Sequence, residues 1–148
     1  MISYFFDSSA LVKVYASEAG SDLAKALFYG PGHRLYTSWI SLTEIPSALY
    51  RKSGLSRSQT DLLLIRFMTD YEQRCNEVRL SDAHALLAID LIKQHSLTSA
   101  DALILAQTLR LTERVRRLIL VTSDKRMIQA AEREGLPITD PTRLKQFP

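Results

Sequence analysis

ISYFFDSSALVKVYAS, residues 2–17, runs from strand character through an acid into helical spacing, and the fold turns on that junction. Ile2, Tyr4, Phe5 and Phe6 form a nearly unbroken apolar run, as in a strand buried on both faces, so these side chains are read as core. Asp7 closes the run and stands where a helix beginning near Ser9 needs a cap. The same order returns in RLILVTSDKRMIQAAERE, residues 117–134, where Asp124 follows the strand and opens a helix. A strand feeding an acid-headed helix, repeated, is the pattern of a parallel sheet covered by helices.

Working outward, five runs have strand character: Ile2 to Phe6, Leu35 to Ser38, a weak Glu77 to Leu80, Leu118 to Thr122, and a short Pro137 to Thr139. Helical spacing covers Ser9 to Ser17, Asp22 to Tyr29, Leu42 to Lys52, Arg57 to Arg74, Ala83 to His95, Ala100 to Arg114 and Lys125 to Glu134. Gly30, Gly54 and Gly135 follow helical runs where a left-handed residue closes a helix, while Ser56, Ser81 and Asp82 precede others as caps. Nothing reads as a repeat, a low-complexity tract or a linker, so the expectation is a single α/β domain over residues 1–148, a three-layer α/β/α sandwich. The segment from Asp140 to Pro148 is expected to pack as a tail.

Composition narrows the function. With 148 residues, 46% of them hydrophobic and 24% charged, the chain has the balance of a globular protein rather than a disordered or fibrous one. No apolar run approaches the ~20 residues of a membrane span and no leader peptide is evident, so a soluble, cytoplasmic protein with no membrane partner is expected. Cys75, the one cysteine, excludes an internal disulfide and is read as inert; no zinc-type spacing joins it to His33, His84 or His95, which are read as structural or surface residues. A net charge of +3 and a pI near 9.1 suit a polyanionic partner without requiring one.

Ligands bind outside the carboxyl ends of the strands in sheets of this kind. Four acids belong near that edge: Asp7 and Asp124 at strand exits, Glu44 at the start of the helix after the second strand, and Asp101 in the first turn of the helix leading to the fourth. Singly, each has a structural explanation, since helix N-termini favour carboxylates. Asp7 and Asp124 read as plain N-caps; Glu44 pairs with Ser41, and Asp101 with Thr98, in capping-box spacing. Together they would repel one another unless a cation sat between them, and an all-oxygen donor set favours magnesium or manganese. Ser9 and Thr122 can orient these carboxylates or simply finish turns.

DSSALVK from Asp7, SLTEIPSALYR around Glu44, SADALILAQTL around Asp101 and LVTSDKRMIQAAEREGLPITDP around Asp124 together resemble the PIN-domain ribonucleases, in particular the VapC-like toxins of toxin–antitoxin pairs. The resemblance implies a five-stranded parallel sheet in the order 3-2-1-4-5, a catalytic set of Asp7, Glu44, Asp101 and Asp124, and a Mg2+ or Mn2+ ion on Asp7, Asp101 and Asp124. It also implies an RNA substrate, a homodimer and a cognate antitoxin. The chain departs from the family where an Arg often stands at Thr98 or Ser99, a His at Ile104 and an Asn at Asp140, and Pro46 threatens to bend the helix that carries Glu44.

A cation so held would polarise a phosphodiester and lower the pKa of an attacking water, with no histidine base needed. Lys125 and Arg126, directly after Asp124, and Arg51 and Lys52 are the candidate phosphate contacts; the stripe Arg110, Arg114, Arg117 reads first as a solvated helix face. An aspartyl phosphatase would need a second acid where Asp7-Ser8-Ser9 has none, and a receiver domain lacks its acidic pair and phosphoacceptor. The remaining alternative is an inactive PIN-like RNA-binding or assembly module, against which the intact acidic set argues.

Overall fold

The computed structural model describes residues 1–143, so the tail expectation for 144–148 falls outside the described residues. The elements are β1 (Ile2–Phe6), α1 (Ser8–Tyr15), α2 (Ser21–Tyr29), β2 (His33–Ser38), α3 (Ser41–Arg51), α4 (Arg57–Arg74), β3 (Cys75–Val78), α5 (Asp82–His95), α6 (Ser99–Thr112), β4 (Leu118–Val121), α7 (Lys125–Arg133) and β5 (Ile138–Thr139). The strands form one five-stranded sheet in the order β3-β2-β1-β4-β5, every pairing parallel, which is the order the resemblance implies. Among the described residues no helix is long and apolar enough to cross a membrane.

Successive side chains on β1 point to opposite faces, so its apolar run serves two cores. Tyr4 and Phe6 enter the layer built with α1 to α4, where Phe6 meets Phe28 edge-on at 5.5 Å between ring centroids. Phe5 enters the other layer with Leu105, Leu120 and Met127 from α6, β4 and α7. Each fully buried phenylalanine contributes on the order of 2 kcal/mol from area alone. β1 lies at the centre, and its register sets Phe6 level with Thr37 of β2 and Val121 of β4. All three strands therefore end together, and their exits form one edge.

The structure corrects three local readings. β3 begins at Cys75, earlier than the expected Glu77 to Leu80, because α4 passes into it with no turn between. The strand also ends earlier, at Val78, whose carbonyl is taken by Trp39 N and by Gln107 Nε2. Gly30 is extended at φ −62°, not left-handed, since the residue before a proline is driven from helical space and Pro31 follows; Gly32, at φ +74°, makes the turn. Asp82 is the first residue of α5, and Ser81 alone caps it.

Candidate active site

β1 delivers Asp7 to the common edge, where its N–H donates to Val121 O of β4 (3.0 Å). Asp7 is 3% exposed and its carboxylate gathers three donors. Oδ1 accepts from Ser8 N at 2.7 Å, the N-cap bond of α1, and Oδ2 accepts from Ser9 Oγ and Thr122 Oγ1, both at 2.8 Å. A carboxylate has about four acceptor positions, so roughly one lone pair of Asp7 is left free. Burial pushes its pKa up to about 6; the Thr122 and Ser9 hydroxyls pull it down, and the charges of Asp101 and Glu44 push it up again. The same hydroxyls hold the exit of β4, for Ser123 N donates to Ser9 Oγ (3.0 Å) and Asp124 N to Thr122 Oγ1 (3.2 Å).

Glu44 lies in the first turn of α3, but its capping-box reading fails. The N-cap is Ile40, which makes no side-chain cap bond, and the Ser41 hydroxyl turns inward to Thr37 Oγ1 (3.0 Å) and Ser8 Oγ (3.3 Å). Glu44 accepts from Ser8 Oγ at 3.0 Å instead, while Thr37 Oγ1 donates to Phe6 O at 3.0 Å. A string of hydroxyls thus runs from the end of β1 to the Glu44 carboxylate. Burial raises the Glu44 pKa, the Ser8 bond lowers it, and the Asp101 charge raises it further. Pro46 lies within α3, and the helix runs on to Arg51.

Asp101 N caps onto Thr98 Oγ1 (3.3 Å) in the first turn of α6, and Asp124 Oδ1 caps α7 by accepting from Met127 N (2.9 Å). Burial raises the Asp101 pKa; Thr98 opposes it, Asp124 adds to it, and Arg126 opposes it. The four acids are therefore linked electrically: Asp7 feels Asp101 and Glu44, Glu44 feels Asp101, and Asp101 feels Asp124. Among the described residues none of them forms a salt bridge. Nor, among the described residues, does any group of three or more His, Cys, Asp or Glu stand arranged to hold a metal ion. The cap bonds from the Ser8 and Met127 N–H groups hold Asp7 and Asp124 in place. The donor chemistry, oxygen only, fits a hard divalent ion, which Asp7, Asp101 and Asp124 would hold.

Of the candidate phosphate contacts, Lys125 and Arg126 are exposed at the head of α7, and Arg126 is near enough to act on Asp101. Arg51 lines a surface hollow of about 440 Å3 together with Glu44 and donates to Ser47. Lys52 is engaged elsewhere, with its Nζ 2.8 Å from Glu18 Oε2, and Glu18 also holds Lys13. Reading the sequence missed Ser8 and Thr37, and took Ser41 only for a cap. Their only signal is hydroxyls clustered at a strand exit, which turns and caps also produce.

An open parallel α/β sheet binds its ligands outside the carboxyl ends of its strands, and here that edge carries electrically coupled acids that form no salt bridge among the described residues. The sequence matches the PIN domain over residues 4–133, and the chain belongs to that family, whose members are nucleases that generally use divalent metal ions. No curated protein matches it in sequence. Similar solved structures include VapBC2 from Rickettsia felis bound to a DNA fragment from its promoter, with a TM-score of 0.65, 16% identity, and 94% of this chain and 98% of that one covered. FitAcB from Neisseria gonorrhoeae is similar with a TM-score of 0.66 and 16% identity, over 95% of this chain and 99% of that one. So is VapC20 from Mycobacterium tuberculosis, a toxin that cleaves the sarcin–ricin loop, with a TM-score of 0.64 and 16% identity, over 86% and 94%. The fold is that of the VapC-like toxins.

Proposed function

We propose that the protein is a Mg2+- or Mn2+-dependent endoribonuclease and the toxin of a toxin–antitoxin pair. One observation carries this reading: the buried Asp7 at the exit of β1, Glu44 on α3, Asp101 on α6 and Asp124 at the head of α7 gather at one edge of the sheet, close enough that Asp101 and Glu44 act on Asp7 and Asp124 acts on Asp101, and among the described residues none of the four forms a salt bridge. Asp7, Asp101 and Asp124 would hold the ion, which when bound neutralises their charge and makes a neighbouring water more acidic. Asp7 is fixed by Ser9 and Thr122 and keeps one lone pair for that purpose. Glu44, aimed by Ser8 and with its pKa raised by burial, is suited to take a proton from the attacking water. Arg51, Lys125 and Arg126 meet the phosphates.

The toxin role is supported by solved relatives described as toxin–antitoxin complexes, including one from Klebsiella pneumoniae. Two apolar helix faces suit the implied partners, a second copy of the chain and an antitoxin: Leu62, Ile65 and Met68 on α4, and Leu86, Ile89 and Ile92 on α5, all exposed. The lack of a ready-made group of three ligands among the described residues is what favours the second reading, an inactive module that binds RNA or assembles with partners. Incubating the purified protein with single-stranded RNA while titrating Mn2+ separates the two. Cleavage that requires Mn2+ and disappears in Asp7→Asn and Asp101→Asn is expected; binding without cleavage, or cleavage retained in either variant, would reject the nuclease.

A further inference from the structure

The opposite edge of the sheet is basic. β4 begins at Leu118, so the segment Arg114-Val115-Arg116-Arg117 lies where strands start, far from the acids where they end. Arg34, on β2, pairs in register with Ser3 of β1, and Ser3 pairs in turn with Leu118 of β4, so Arg34 flanks the same end of the sheet. Arg34, Arg114 and Arg116 line a hollow of about 220 Å3, floored by the buried Ser3. Among the described residues none of these three, nor Arg117, has an acidic partner, whereas Arg79 pairs with Glu77 and Arg110 with Glu113. Arg117 moreover sits at φ +54°, backbone that glycine tolerates better than arginine. An arginine there has no backbone justification.

Arg114 also borders a second, larger cleft of about 430 Å3 that climbs between α5, α6 and β3. Its walls carry Tyr36, Arg79, His84, Gln107 and Arg110, with Glu77 and Glu113 as the only carboxylates among the described lining residues. It reaches Val78, at the carboxyl end of β3, and thus rises from the basic edge toward the level of the acids. Arg110 lies roughly 13 Å along α6 from Asp101 at about 1.5 Å per residue, and Arg114 lies beyond the end of that helix. Unpaired guanidiniums leading into a cleft with an aromatic wall are the two ingredients of single-strand recognition, one for phosphates and one for a base.

We propose that Arg34, Arg114 and Arg116, continued by the Tyr36 cleft, form a track for the backbone of single-stranded RNA outside the catalytic edge. The choice of RNA rests on the ribonuclease reading. A strand held on this track and cut at the acids extends well beyond the scissile bond, so the track sets a minimum substrate length and leaves the bond-breaking step untouched.

The test compares wild type with the combined variant Arg34→Gln, Arg114→Gln, Arg116→Gln. All three positions are exposed and unpaired among the described residues, so the fold is expected to survive, with the melting temperature as the check. Binding of a fluorescein-labelled oligoribonucleotide is followed by anisotropy in EDTA between about 50 and 200 mM salt. Each phosphate contact contributes about −0.7 to the log–log salt slope for a single strand, so the variant's slope is expected to be shallower by about 2. With Mn2+, KM for a long RNA should rise while kcat is unchanged, and cleavage of a substrate of a few nucleotides should be unaffected. An unchanged slope, or tighter binding of duplex DNA than of RNA through the same arginines, would overturn the proposal. The nuclease reading fails separately: a wild type that never cleaves while the slope still changes removes the enzyme and keeps the track, and cleavage with an unchanged slope does the reverse.

Discussion

Asp7 carries an electrostatic penalty that makes its role measurable. Its folded pKa, about 6, exceeds the ordinary 3.8, so between those values the folded state holds a proton that the unfolded chain has released. Stability therefore falls as pH rises through that window, and the loss is complete above it. Without metal, the protein is expected to melt at a higher temperature at pH 5 than at pH 7 on this account, with Glu44 and Asp101 acting in the same direction. Asp7→Asn should gain on the order of 1–2 kcal/mol at pH 7 in EDTA and flatten that pH dependence. Thermal melts of both proteins at the two pH values check this, and a destabilised variant would contradict it. Ser8 is tested differently. Ser8→Ala removes the Glu44 donor, which should cost about 1 kcal/mol of stability and about tenfold in kcat, with Ser8→Thr restoring the rate; an unchanged kcat would mean that Glu44 needs no aiming.

At the scale of elements, a carboxylate on α4 ties that helix to α1 and α2 beside the core contacts of Phe67 and Tyr71. Asp70 Oδ2 accepts from Tyr15 OH of α1 (3.0 Å) and Tyr29 OH of α2 (2.6 Å), and Arg74 lies 3.6 Å from Oδ1. Asp70→Ala should cost about 2 kcal/mol in urea denaturation by taking the acceptor from two tyrosine hydroxyls, of which Tyr29 keeps the bond from Arg66, and should leave metal binding at the acids intact; loss of both would show that α4 supports the site. The elements were largely legible because their signals are local. The β1 run and the caps of α4, α6 and α7 could be read in order from Ile2, Ser56, Thr98 and Asp124. β3 was misplaced because α4 feeds it without a turn, and Gly30 because the constraint comes from Pro31. Asp7, Glu44, Asp101 and Asp124 could be named from strand exits and helix starts. The Ser8–Glu44 bond could not, since it joins α1 to α3 through register alone, and Ser41 and Glu44 carry capping-box spacing that folding does not use.

Among the described residues the surface divides by chemistry: acids at the carboxyl edge, arginines without acidic partners at the amino edge, and exposed apolar faces on α4 and α5. If a homodimer forms, charge on one of those faces should dissolve it. Leu86→Lys with Ile89→Lys, or Leu62→Lys with Ile65→Lys, is expected to convert dimer to monomer in sedimentation, and no change in either pair would remove the homodimer. The most direct test concerns the acids themselves, drawn from four separate stretches of chain. Mn2+ titrated into the metal-free protein at pH 7.5 should raise the melting temperature by saturable binding to the folded state, with a free-Mn2+ EPR signal that is depleted as the site fills. Asp7→Asn and Asp101→Asn should lose most of both effects while remaining folded. A wild type whose melting temperature and EPR signal respond to Mn2+ no differently from the two variants would contradict the claim that these carboxylates form one divalent-ion site.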